Sequence, residues 1–322
     1  MKLVLTGRRK LEVRPQDQPP AVPAGETRLQ VLYCAICRTD AKMWARGHRD
    51  LVLPRVPGHE IVAADEQGRR YAVWPGRSCG RCPDCRAGRE NRCEEIKIIG
   101  FHRDGGFARE VQVPKTSLLP LPDTLASRLA CFAEPLGCVL HGLQTAGIGA
   151  GERVVVLGGG TMGLLAGMAL VTAGSRPVIL EKDPAKIERA RSFLDEAGVE
   201  CVARISQERF AAAITACPDP AAFGQGLEKL AKGGRFCFFS GLAGEQHLST
   251  AMVNQIHYRE LVVSGSYGLN RSDMNNALVL LNNNQRSVKR LIQAVAPPAQ
   301  VPEVLDDVLS GRSFRYIIDF TY

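Results

Sequence analysis

The chain has 322 residues, enough for two domains that each bury a core. With 45% hydrophobic and 23% charged residues it reads as globular, and no uninterrupted apolar run reaches membrane-spanning length. Forty-one basic against 33 acidic residues give a net charge of +8, spread without a polybasic block, which favours anionic ligands without requiring nucleic acid.

Residues 1–125 carry short apolar runs broken by Pro and Gly. Residues 29–33 alternate with the period of a half-buried strand, and residues 107–113 read as another. Turn formers at Pro54, Pro57, Gly58, Gly68, Pro75, Gly76, Gly105 and Gly106 predict a compact, mostly β domain. Within it lie Cys79, Cys82, Cys85 and Cys93, spaced C-x2-C-x2-C-x7-C. Four thiols in fifteen residues, with Gly80, Pro83 and Gly88 to turn the chain, can surround one tetrahedral ion, so this lobe is expected to hold structural zinc. Residues 1–8 have too short an apolar core for a secretory signal. The expected location is therefore the cytoplasm, where thiols stay reduced and disulfides are disfavoured. Arg77, Arg81, Arg86, Arg89 and Arg92 surround the lobe, but Asp84, Glu90, Glu94 and Glu95 are interleaved and no aromatic residue is present to stack on bases. That predicts a solvated lobe that binds no nucleic acid.

After Leu121-Pro122-Asp123 the pattern changes. Apolar strands are predicted at 154–157, 177–180 and 235–239, with a helix at 162–173 stopped by Gly174. Asp183-Pro184 is an N-cap followed by a first-turn proline, opening a helix that ends near Gly198. This alternation predicts an α/β, doubly wound parallel sheet. Beyond Gly265 the sequence reads as turns and short elements, with a late strand at 316–320. Cys201, Cys217 and Cys237 read as small buried hydrophobes.

Gly158, Gly159, Gly160, Thr161, Met162 and Gly163 satisfy G-x-G-x-x-G between a predicted strand and a predicted helix. Free backbone N–H groups and the positive helix end there suit a dinucleotide pyrophosphate. Glu181 ends the next strand, eighteen residues after Gly163, where a carboxylate accepts from both ribose hydroxyls and repels a 2′-phosphate. NAD is therefore preferred over NADP, with Lys182 alongside as the residue that works against the preference. Cys37 and His59 are natural zinc ligands, and Glu134 and Cys138 are candidates for a third. Taken singly, each of these also reads as an ordinary core residue or helix carboxylate.

The order C-x-T-D (Cys37, Arg38, Thr39, Asp40), G-H-E (Gly58, His59, Glu60), four-cysteine lobe, E-P-L-G (Glu134 onward) and G-x-G-x-x-G resembles the zinc-dependent medium-chain alcohol dehydrogenase superfamily. The E-P-L ligand is similar to that of its sorbitol and galactitol-phosphate dehydrogenase branch. The resemblance covers essentially the whole chain and implies a GroES-like β domain at 1–125 bearing the zinc lobe at 79–93. A Rossmann domain at 126–265 and a return to the β domain at 266–322 complete it. It also implies two zinc ions per chain, a structural one and a catalytic one held by Cys37, His59 and Glu134, with Glu60 as an alternate carboxylate and Arg315 as its basic partner. Thr39 matches the hydroxyl that passes on the substrate proton, and Arg38 a position that reaches the pyrophosphate. The implied activity is reversible hydride transfer between NAD(H) and a secondary alcohol of a polyol, sugar-alcohol or sugar-phosphate substrate. A homodimer or homotetramer is implied as well, with contact near the sheet edge at 264–267 and no membrane partner. His102 and Arg103 are candidates for hydroxyl or phosphate contacts. A threonine or amino-alcohol dehydrogenase is the rival activity, and a catalytically inactive binding module the rival of another class.

The chain departs from the family pattern in four places. Lys42 stands where a relay histidine is common, and Ala63 replaces a usual glycine. Only nineteen residues separate His59 from Cys79, and Ala216-Cys217-Pro218-Asp219-Pro220 replaces a T-G-S-P phrase.

Overall fold

The computed structural model describes the chain except for residues 17–20, 207–208 and 245–246. It forms two compact units, Met1–Gly137 with Leu269–Tyr322, and Cys138–Gly268. The division falls inside the helix Ala133–Thr145.

The first unit is built on a seven-stranded sheet whose central member is Glu26–Ile36. Alternating Leu29, Val31 and Cys34 bury one face of that strand, which runs longer than the five residues expected because it has partners along both edges. Glu60–Ala64 pairs antiparallel on one side, with Ala35 opposite Glu60. Arg315–Asp319 and Glu110–Pro114 pair antiparallel with successive stretches of the same strand, Tyr316 lying opposite Ile36. Leu3, Leu5, Leu29, Ile36, Met43, Ile61, Ile99 and Phe107 are among the largest fully buried side chains. Burial of each such side chain contributes about 1.5–3 kcal/mol. The helix Arg38–Arg46 adds Ala41, Met43 and Trp44 to this core and packs on the helix Val301–Ser310.

Two expected elements differ here. Residues 107–113 are not one strand: Phe107 accepts from the Leu3 N–H and Arg109 donates to the Met1 carbonyl, so the run first bridges the N-terminal strand and turns into the sheet only at Glu110. Beyond residue 265 lies a thirteen-residue helix, Arg271–Asn283, in place of short elements. Asn270 caps its third amide and Asp273 reaches back to the Asn270 N–H. The signal Asn-x-x-Asp was present in the sequence.

The second unit is a six-stranded sheet in the order Glu200–Val202, Arg176–Leu180, Arg153–Leu157, Phe210–Thr215, Leu230–Phe238, Val262–Gly265. Every neighbouring pair is parallel. Its central strands read as continuous apolar runs because helices cover both faces. The helix Pro184–Ala197 opens on the Asp183 cap and ends at left-handed Gly198, as expected. The strand Val262–Gly265 leaves Val262 and Val263 exposed at the sheet edge. Cys237 is buried, whereas Cys201 and Cys217 are only partly so. No helix among the described residues is long and apolar enough to cross a membrane.

Candidate active site

The register of three adjacent strands assembles the site. Cys37 follows the end of the central strand, Glu60 begins one neighbour and Arg315 the other, so residues far apart in sequence meet at one end of the sheet. Ligand atoms of Cys37, His59 and Glu60 all lie within 4.8 Å of one another. Glu60 is fully buried and its Oε1 accepts from Arg315 at 2.6 Å, while its Oε2 is buried without a hydrogen-bond partner. Gly58 sets the approach: its φ of 95° and the Phe107 ring, into which a Cβ would run, leave room only for glycine.

Asp40 ties the cluster together, and the sequence reading gave it no role beyond its place in C-x-T-D. Its Oδ2 accepts from the Cys37 N–H at 2.8 Å, its Oδ1 accepts from the Gly58 N–H at 3.3 Å, and Oδ1 lies 3.4 Å from His59 Nδ1. The signal was local: Asp40 is the third residue of a helix whose cap is Cys37, a position from which a carboxylate reaches back to the cap amide.

Burial alone would push the Cys37 thiol up, but Arg315 and His59 beside it bring it down to about 7. Burial disfavours the His59 cation, yet Asp40 and Cys37 outweigh it and raise the imidazole well above its ordinary value. Burial pushes the Glu60 carboxyl well up; Arg315 opposes this, and the negative charges of Cys37 and Glu134 add to it. These shifts describe an electrostatically frustrated pocket of donors at close quarters, which a divalent cation would relieve.

Glu134, expected as the third ligand, lies in the first turn of the helix Ala133–Thr145 and is outside the group of three, where Glu60 stands instead. Its charge is nevertheless felt by both Glu60 and Arg315, so it borders the cluster. Thr39 is half-buried in the first helical turn beside Cys37. Arg38 donates from Nε to the Leu309 carbonyl at 3.2 Å and lies over Gly311. Lys42 is half-buried, and burial, then Arg38, lowers its pKa. Arg103, a candidate phosphate contact, is occupied: its two terminal nitrogens donate to both oxygens of buried Glu26 at 2.6 and 2.7 Å. Phe101 walls the cluster, with its ring centroid 5.3 Å from that of His59 and 5.2 Å from that of His48.

Cys79, Cys82, Cys85 and Cys93 also come within 4.8 Å of one another. The Cys82 N–H donates to Cys79 Sγ, the Cys85 N–H to Cys82 Sγ and the Cys79 N–H to Cys93 Sγ, each at 3.4 Å. Backbone N–H groups of Arg81 and Cys82 lower the Cys79 thiol to about 6. The Sγ atoms of Cys79 and Cys85 are 3.9 Å apart, against about 3.8 Å for two sulfurs on a tetrahedral zinc with 2.3 Å bonds.

In the second unit, Gly158 takes a φ of 110° after the strand Arg153–Leu157, and a Cβ on Gly163 would overlap the Gly158 carbonyl oxygen. Gly160 caps the helix Thr161–Thr172 and has no side chain to occupy its first amides. Thr161 and Met162 form its first turn. Glu181 is buried behind this loop, with Oε2 accepting from the Gly159 N–H at 2.8 Å and Oε1 from the Asp183 N–H at 3.0 Å. Lys182 is paired with Asp219 at 2.9 Å.

Residues 23–123 match the family model of the alcohol dehydrogenase GroES-like domain. The chain is 31% identical over 303 residues to D-altritol 5-dehydrogenase of Agrobacterium fabrum, covering 87% of this chain and 88% of that one. It is 32% identical over 205 residues to L-galactonate-5-dehydrogenase of Escherichia coli, a match spanning 61% of this chain and 60% of the relative. Among solved structures, a candidate zinc-binding dehydrogenase from Sinorhizobium meliloti bound to NADP superposes with a TM-score of 0.89 at 27% identity, over 99% of this chain and 98% of that one. The ordered motifs, the paired folds and the likenesses to the altritol and Sinorhizobium relatives over most of the chain agree, and the chain belongs to the zinc-type, medium-chain alcohol dehydrogenase family, in its polyol dehydrogenase branch.

Proposed function

We propose that the chain catalyses reversible oxidation of a secondary alcohol on a polyol or sugar-acid substrate, with a nicotinamide cofactor and zinc. The observation that carries this reading is the meeting of Cys37, His59 and Glu60 within 4.8 Å, with a buried carboxylate oxygen left unpaired. A thiolate, an imidazole and a carboxylate are a donor set suited to zinc. In this reading Cys37, His59 and Glu134 hold the ion, and Glu60, restrained by Arg315, is the alternate carboxylate. When bound, zinc supplies the Lewis acidity that eases removal of the alcohol proton, and the nicotinamide supplies the hydride acceptor.

The chain's own residues perform the remaining work. Asp40, whose Oδ1 lies 3.4 Å from His59 Nδ1 without closing a hydrogen bond there, is placed to steady the ring by its charge, where carboxylates commonly stand behind metal-binding histidines. Thr39 passes the substrate proton toward solvent. Gly158, Gly160, Thr161, Met162 and Gly163 receive the pyrophosphate. Glu181 accepts from the ribose hydroxyls, and its buried charge disfavours a 2′-phosphate, so NAD is preferred over NADP. The domain reading follows the family: GroES-like at 1–125 and 266–322, Rossmann at 126–265. A second zinc sits in the four-cysteine lobe, and the sheet edge near residues 264–267 is the contact of a homodimer or homotetramer.

Metal content per chain, measured on wild type and on Glu134→Ala, tests the reading together with initial rates on a panel of polyols, sugar acids and threonine with NAD and NADP. Two zinc ions falling to about one, with polyol or sugar-acid turnover favouring NAD, is the expected result. Activity confined to threonine would replace the substrate class. A single zinc with no turnover would replace the enzyme with a binding module.

A further inference from the structure

His48 follows the helix Arg38–Arg46 by one glycine, outside every motif the family resemblance uses. Its ring packs edge-on against Phe101 at 5.2 Å, and Phe101 packs against His59 at 5.3 Å. Those two contacts hold the His48 ring within about 10 Å of His59, in the range of stacked and edge-to-face ring spacings laid end to end. The ring is only half-buried, so it is accessible.

Its protonation state follows from its neighbours. The Asp50 N–H donates to His48 Nδ1 at 3.2 Å, so Nδ1 is an acceptor and the ring proton resides on Nε2. The Asp50 carboxylate is 3.7 Å from Nδ1, too far for a hydrogen bond that would reverse this. Burial lowers the pKa of His48; Asp50 works against that, while Arg49, Lys42 and His102 add to it. The neutral imidazole therefore persists at neutral pH as a donor through Nε2–H. His102, next to Phe101, has the same arrangement, with Nδ1 accepting from the Ile98 N–H at 3.1 Å.

We propose that His48 is a specificity-determining residue whose Nε2–H donates to a substrate hydroxyl beyond the reacting carbon. It thereby selects an uncharged polyol over a simple secondary alcohol and over a polyol phosphate. The inference rests on the reading of the Cys37–His59 cluster as the reaction centre. A neutral donor suits a hydroxyl, and of the guanidinium forks nearby that would grip a phosphate, Arg103 is held by Glu26 and Arg49 is paired with Asp50.

The test compares wild type, His48→Asn and His48→Gln, all zinc-loaded. Xylitol, sorbitol and galactitol are assayed beside 2-butanol and galactitol 1-phosphate, and melting temperature is read with and without the polyol in the presence of NADH. Gln places an N–H near the Nε2 position and Asn does not. Asn is expected to raise KM for the preferred polyol about tenfold with kcat within about twofold, the effect of one lost hydrogen bond. It should also shrink the polyol-induced rise in melting temperature to well under half of that in wild type. Gln should retain both within about threefold, and 2-butanol should be turned over equally by all three proteins. Equal losses on polyol and 2-butanol, identical behaviour of Asn and Gln, or a preference for the phosphate would overturn the assignment of His48 while leaving the dehydrogenase reading standing. No turnover of any alcohol by wild type would overturn that reading, and this inference with it.

Discussion

The two cysteine-containing clusters of the first unit are built in opposite ways. The lobe at 79–93 draws four donors from one short segment, its thiols are organised by adjacent backbone N–H groups, and Cys79, Cys82 and Cys85 remain partly exposed. The cluster at Cys37 gathers its donors from the ends of two strands and Arg315 from a third, buries His59, Glu60 and Arg315, and sets their charges against one another. A local, exposed site can be lost without disturbing the sheet. A buried one assembled by strand register cannot, because each charged member depends on the others for its counter-ion.

The largest effect should come from breaking the buried cluster. Arg315→Ala leaves Glu60 buried without its guanidinium partner and should lower unfolding free energy by about 3–5 kcal/mol, read from the urea midpoint of the metal-free protein. Zinc should restore part of the loss. An unchanged midpoint would mean that Glu60 is neutral and that the cluster is less coupled than its geometry indicates.

A smaller effect is expected where the lobe is anchored to the sheet. Glu26 receives Arg103 and Gln112, and Arg77, which leads into the lobe, lies 3.6 Å away. Hydrogen bonding by Arg103 is the main reason its carboxyl falls to about 2 from 4.5. A depressed carboxylate pKa stabilises the fold at pH values above the unfolded value, and that stability disappears as pH falls from about 4.5 toward 2. Arg103→Ala should cost about 2 kcal/mol at pH 7 and flatten this acid limb. Urea midpoints at pH 7, 4.5 and 3 would show it, and an acid limb as steep as in wild type would remove Glu26 from the explanation.

Capping in the second unit gives a milder change. Asp183→Ala removes the side-chain acceptor of the Ala185 N–H and should cost about 1 kcal/mol in thermal or urea unfolding. The smallest effect on the sheet belongs to the lobe itself. Cys82→Ser should release one zinc per chain while the far-ultraviolet spectrum and the zinc bound near Cys37 stay as in wild type, as atomic absorption and circular dichroism would report. Loss of both ions together would show that the lobe is no separate unit, and the contrast between the two clusters would fail.

What could be read early was what is encoded locally. The glycine loop, the Asp183 cap with its proline, and the four-cysteine spacing each need only a few consecutive residues, and they appear in the structure at the expected positions. The helix Arg271–Asn283 carries a legible cap in Asn270 and Asp273, but the glycine and asparagine residues just before it also suit a turn, so the local pattern does not decide between them. Arg103 looked available in a polar loop, and only the fold revealed Glu26 beneath it.

By itself the sequence determined the order of motifs, and hence the family, the α/β class and the donor types gathered for a metal. The resemblance names Glu60 and Arg315 as partners, but only the tertiary structure decides how closely each donor approaches the others. Register placed Glu60, not Glu134, in the group with Cys37 and His59 and delivered Arg315 from the far end of the chain. Phe101, in a turn outside the sheet, packs against both His59 and His48. Local propensity acts over a few residues, whereas these distances are fixed by hydrogen-bonded pairing of the strands on either side of Glu26–Ile36, which brings Glu60 and Arg315 together across 255 positions, and no short pattern encodes that.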